Sequence, residues 1–206
     1  MLGFLACAPV GMFTARYKKL FGEVWFIRHL TAMISCLICV LIAFVLILVH
    51  TKGWPEAAST HHYLGVFAVI VFAVQPLMAL ARPAPTHPRR WIFTWAHRIV
   101  GVVGWLLGAV AAAAGVAMFE LDWGLMVAFI VVTVLLFVAV DVYLATRQEK
   151  DGETATGDGT APAEVTKSGR VGGYVVMGVV FLFAVVVIIY YIVVLNKDGG
   201  HSHGGH

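Results

Sequence analysis

Apolar residues in this chain run in long, nearly unbroken stretches, without the alternation of a strand or the one-sided stripe of a soluble helix. Residues 24–49, 62–81, 91–117, 124–146 and 171–195 each meet or approach the about 20 apolar residues that a helix needs to cross hydrocarbon. Residues 1–17 form a further apolar stretch that is shorter and ends in Ala15-Arg16-Tyr17-Lys18-Lys19. It begins abruptly at Met1 and lacks a basic leader segment, so it reads as a spanning helix with missing or shortened first turns, not as a secretory signal. The pattern predicts an all-α integral membrane bundle of six helices. Residues 1–146 hold the first five, 147–170 are a flexible polar linker, 171–195 are the last span and 196–206 are a Gly/His-rich tail. No internal repeat of the length that builds solenoids is visible.

Composition agrees. Of 206 residues, 61% are hydrophobic and 12% charged, against roughly a quarter charged in a soluble domain. The net charge of +3 is too small to point to nucleic acid; lipid is the expected partner. Where the charges sit matters more than their sum. If all six stretches cross, one side carries Arg16, Lys18, Lys19, Arg28, Arg82, Arg89, Arg90, Arg98, Arg147, Lys150, Lys167 and Arg170, and the other only Lys52 and Lys197. Cytoplasmic loops are enriched in Lys and Arg. The first, third and fifth connections are therefore expected in the cytoplasm, and the C-terminal tail outside. Cys7, Cys36 and Cys39 all lie in apolar runs and read as small packing residues; the C-x-x-C of Cys36 and Cys39 shows no partner for a redox or metal role.

Three of the nine histidines stand out. His29 opens the second span in Trp25-Phe26-Ile27-Arg28-His29, and His97 opens the fourth in Trp95-Ala96-His97-Arg98. Both spans leave the cytoplasmic side, so both imidazoles share a depth there. His61 opens the third span on the outer side. Ionisable groups inside membranes are costly and usually functional, and neutral imidazole suits iron, zinc and copper alike. From His97, glycines follow at 101, 104, 108 and 115 on one helix face. Such a face offers a flat macrocycle room to lie, or it is a small-residue stripe for close helix approach. Gln75-Pro76 interrupts the third span, where Gln75 contacts a cofactor edge or satisfies the backbone freed by the proline. Asp141 lies near the inner end of the fifth span and reads as an interfacial residue.

At these residues the sequence resembles the cytochrome b561 family, and more closely the membrane half of its ferric-chelate-reductase-like, DOMON-linked subgroup. The matching pieces are Pro9-x-Gly11, Ala15-Arg16-Tyr17, Trp25-Phe26-x-x-His29, His61-x-x-Leu64-Gly65, Gln75-Pro76, Arg82-Pro83, His87-Pro88-Arg89-Arg90 and Trp95-x-His97-x-x-x-Gly101, in the family's order over roughly residues 1–145. The resemblance implies a four-helix haem-binding core with two haems b, each between two histidines. His29 and His97 carry over as the inner pair, with Gly101, Gly104 and Gly108 lining the cofactor. His61 carries over to the outer haem. Its family partner lies upstream of Met1, which leads us to expect an N-terminally truncated chain with an incompletely ligated second haem; His50 and His62 are the conceivable substitutes.

The implied activity is one-electron transfer from a cytoplasmic donor such as ascorbate to an outer acceptor such as ferric chelate. Lys18, Lys19, Arg82, Arg89 and Arg90 either attract the anionic donor or serve only as topology signals. The competing class is a non-redox metal transporter or membrane anchor, with His201, His203 and His206 of the tail as weak metal ligands.

Overall fold

A computed structural model describes residues 1–55, 58–155 and 167–201, and those residues form helices joined by short turns. A π-helical turn, Gly3–Cys7, runs on into α1 (Ala8–Arg16); α2 (Lys18–Phe21) and a 3₁₀ turn (Gly22–Val24) lead into α3 (Trp25–His50). Then come α4 (Thr60–Leu80), α5 (Arg90–Met118), α6 (Gly124–Ala155) and α7 (Lys167–His201). Five segments are long and apolar enough to cross a membrane: Lys18–His50, Thr60–Leu80, Arg90–Met118, Gly124–Thr146 and Val171–Asn196. The sixth expected helix is present as the shorter pair formed by the π turn and α1.

The long helices leave large apolar side chains outward, among them Leu80 at 85%, Val49 at 71% and Phe119 at 66% exposure. In water such a surface would aggregate; against acyl chains it costs nothing. α6 runs beyond its apolar stretch to Ala155, through part of the expected linker. Ala145, Arg147, Gln148, Glu149 and Lys150 are all good helix formers. Residues 156–166 of that linker lie outside the described residues, as does the tail from 202 on, with His203 and His206, while its last residues, 167–170, already belong to α7. α7 continues through Gly199 and Gly200 to His201, which helix propensity does not explain.

The chain divides into two compact units. The first comprises Met1–Ala8 and Met33–Val127. Here α4 and α5 lie antiparallel along a seam of small residues: Gly101 meets Gln75, Gly104 meets Val71 and Phe72, and Gly115 meets His61. The π turn caps this seam. Phe4 packs on Gly108 and edge-on against Phe72 at 4.8 Å. Its carbonyl accepts the Trp105 indole N–H at 2.9 Å. Gly3 sits against Cys36 and Val40 of α3, with its carbonyl 3.1 Å from the Cys36 thiol. All three cysteines are free, and Cys36 is a buried packing residue as expected.

The second unit comprises Pro9–Ala32 and Ala128–His206. Its core is Phe13, Tyr17, Leu20 and Phe21, packed against Trp25, Phe137, Val140, Leu144, Val176 and Met177. Arg28 reaches α7, where its guanidinium bonds the Tyr174 hydroxyl and lies 4.8 Å from that ring's centroid. The reversal between α2 and α3 turns on Gly22, at φ 59° and ψ −139°, a conformation nearly closed to residues with a Cβ.

That geometry generates a paired expectation. Gly22→Ala should destabilise the protein by about 1–3 kcal/mol. Gly65→Ala, where a Cβ would meet nothing within 4 Å, should be neutral or slightly stabilising. Thermal unfolding in detergent micelles checks both; equal melting temperatures for the two variants would contradict the strained turn.

Candidate functional site

His61 sits in the first turn of α4, whose N-terminus is capped by Ser59 and His62. The His61 ring crosses to α5, with Nδ1 2.7 Å from the Ala111 carbonyl oxygen. A carbonyl can only accept, so Nδ1 carries the proton and the lone pair of the neutral ring lies on Nε2. Fixing the tautomer through a backbone carbonyl is how proteins hold a metal-ligating imidazole. Gly115 makes this possible: a Cβ there would stand 2.8 Å from His61 Cε1. The last glycine of the stripe is thus a seat for the histidine.

His62 has the opposite character. Its Nδ1 accepts the Ser59 backbone N–H at 3.0 Å, so in the neutral ring Nε2 carries the proton. While it caps α4, its Nδ1 is committed to Ser59. His50 is exposed at the end of α3.

His97 lies on α5 in the same unit, with Nδ1 buried. Its ring stacks on Phe93 at 5.6 Å and 13°, and the Arg90 guanidinium lies 5.6 Å from the centroid of Phe93. The Gln75 amide donates to the His97 carbonyl at 3.2 Å. Gln75 therefore ties α4 to the histidine's own peptide group across the seam. Of the expected cofactor-lining glycines, Gly101 lies beside Gln75 at ordinary contact distance. Gly104 lies against Val71 and Phe72, and Gly108 against Phe4.

In the second unit, His29 on α3 places Nδ1 2.9 Å from the carbonyl oxygen of Gly11 on α1. The tautomer argument is the same, and again the lone pair falls on Nε2. His29 and His61 thus fit an axial haem ligand in protonation and in support. Among the described residues no three His, Cys, Asp or Glu side chains gather as a metal cluster; axial ligation asks only for single imidazoles facing the iron.

The basic residues divide between the units. In the first, Arg90 bonds the Pro83 carbonyl and the Arg89 backbone N–H donates to His87 Nδ1 at 3.1 Å. Burial, and after it the neighbouring Arg90 charge, lower the Arg82 pKa from its ordinary value. In the second, Lys18 lies 5.8 Å from the Trp25 ring centroid and Lys19 is exposed.

Sequence reasoning missed the partner of Asp141. Its carboxylate receives Arg16 Nη2 at 2.7 Å. The signal was there: an acid in an apolar span with an arginine at the end of another helix on the same expected side.

The family model for eukaryotic cytochrome b561 matches residues 2–120. Ferric-chelate reductase 1 of Homo sapiens is 30% identical over 122 residues, 55% of this chain and 21% of its own length. Ferric-chelate reductase 1 of Bos taurus is 31% identical over 121 residues, 55% of this chain and 20% of its own. A cytochrome b561 and DOMON domain-containing protein of Arabidopsis thaliana is 27% identical over 148 residues, 69% of this chain and 37% of its own. The chain thus spans about a fifth of the length of the reductases it matches. No solved structure matches it.

Gly115→Ala should push the His61 ring off the Ala111 carbonyl and weaken whatever His61 Nε2 holds. Haem content read at the Soret band of purified protein should fall relative to wild type, while Gly65→Ala keeps it. Unchanged content in Gly115→Ala would show that the seat does not govern the histidine.

Proposed function

Because the chain belongs to the eukaryotic cytochrome b561 family, we propose that it conducts electrons across a membrane through haem b, as the membrane part of a ferric-chelate-reductase-like oxidoreductase. The observation that carries this reading is the shared state of His29 and His61. Each ties Nδ1–H to a backbone carbonyl, leaving the Nε2 lone pair for iron. When bound, haem supplies the one-electron chemistry, and a histidine on each face favours electron transfer over reaction with oxygen.

His29 and His97 would hold an inner haem. Support for the pairing comes from sequence: both histidines open spans that leave the basic side, and both match the family pattern. Gln75 holds the His97 peptide in place, and Gly101 keeps bulk off the face one turn further on. Gly104 and Gly108 contribute by letting α4 and the π turn close on α5. His61 would hold a second, outer haem.

The donor is a small anion of the ascorbate type, drawn to the cytoplasmic side by Lys18, Lys19, Arg82, Arg89 and Arg90. The acceptor is an outer ferric chelate, in line with the names of the matched relatives. The connections after α1, α4 and α6 face the cytoplasm and the C-terminus lies outside, as the distribution of Lys and Arg supports.

His29→Ala and His97→Ala should each abolish one and the same low-spin haem signal in reduced-minus-oxidised spectra, with His61→Ala affecting a different one. Two distinct losses from the first pair would break the assignment. For topology, single cysteines at Pro85 and Thr51 should label with an impermeant maleimide from opposite faces of sealed vesicles, Pro85 from the cytoplasmic face. Labelling of both from one face would refute the orientation.

A further inference from the structure

In the second unit the short helix α1 is fastened to α6 at three neighbouring points. The Phe13 ring packs edge-on to Phe137 at 5.6 Å. The Tyr17 hydroxyl donates to the Phe137 carbonyl at 2.8 Å. Arg16 grips Asp141 with two prongs: Nε stands 3.3 and 3.2 Å from the two carboxylate oxygens, and Nη2 2.7 Å from Oδ2. Phe137 and Asp141 are one helical turn apart and share a face of α6. Midway along α1 lies Gly11, itself buried, whose carbonyl receives His29 Nδ1–H.

Each residue turns a helix by about 100°, the angle that follows from 3.6 residues per turn. A small roll or slide of α1 would therefore swing the Gly11 carbonyl off the imidazole. Two of the polar anchors that set the register of α1, Arg16–Asp141 and Tyr17–Phe137, are on α6. A two-pronged Arg–carboxylate pair fixes orientation as well as distance.

We infer that Asp141, through Arg16 and the register of α1, is a positioning residue for His29: it keeps the Gly11 carbonyl on the ring and thereby tunes the electron-donating strength of Nε2. The inference rests on the reading of His29 as a haem ligand. Hydrogen bonding at Nδ1–H pushes electron density toward Nε2, which stabilises ferric over ferrous iron and lowers the potential. Releasing α1 should raise it.

The test uses the full chain purified with haem in detergent, redox-titrated with visible absorbance and examined by low-temperature EPR. Arg16→Leu combined with Asp141→Leu removes the fork without changing net charge, so a purely electrostatic influence on the potential largely cancels. The midpoint of the haem lost in His29→Ala should move upward and its low-spin EPR signal should change, while the second haem stays put. Asp141→Glu alone, which keeps Arg16 and can rebuild the fork, should leave both readouts close to wild type. If the double variant fails to accumulate, Tyr17→Phe removes the other polar anchor by a single oxygen and should shift the same haem in the same direction by less. Wild-type potential and EPR in the double variant, or in Tyr17→Phe where that variant has to decide, would overturn the inference while leaving His29 as a ligand. Persistence of every haem signal in His29→Ala would overturn the ligand reading and this inference with it.

Discussion

Inside hydrocarbon a polar side chain cannot borrow a partner from water, and the placement of the histidines follows from that constraint. An imidazole has two nitrogens, and a neutral ring needs an acceptor for one and a donor or a metal for the other. At His29 and His61 the acceptor is a backbone carbonyl of a neighbouring helix. The neighbour must come close enough to bring its main chain to the ring, which demands a small residue at or near the contact. Gly11 supplies the carbonyl for His29 itself; for His61, Gly115 clears the way to the carbonyl of Ala111. The glycines and the histidines are thus parts of one requirement.

The same economy shapes the α4–α5 seam. Apolar attraction between helices is weak when the surrounding lipid is equally apolar, so close packing and a few internal hydrogen bonds hold spans together. Val71 and Phe72 press into Gly104, Phe4 presses onto Gly108, and Gln75 bridges to the His97 carbonyl. Pro76 removes one backbone donor from α4, but the adjacent amide does not mend that loss. It turns outward to α5 and stiffens the peptide of the histidine.

Charges at the span ends play two parts. Arg16 and Asp141 neutralise one another and at once fix α1 against α6. Arg28 joins the start of α3 to Tyr174 on α7. An arginine near a membrane boundary therefore signals topology and, where an acid or a phenol lies within reach, joins helices as well.

Much of this was legible in the sequence, because crossing hydrocarbon imposes length and composition locally. The long apolar runs, their polar breaks, the short first helix and the candidate histidines all follow from residues read in order. The roles of individual residues did not, since each depends on what lies across a helix interface. Only the tertiary structure shows that His62 is a cap and His61 a ring with its lone pair turned out, although the two are adjacent in sequence. Only there does Gly104 become a seat for Val71 and Phe72 and Gly108 one for Phe4, and only there does Asp141 acquire Arg16. Local sequence sets which groups are costly to bury; the packing of distant segments decides which atom satisfies each one.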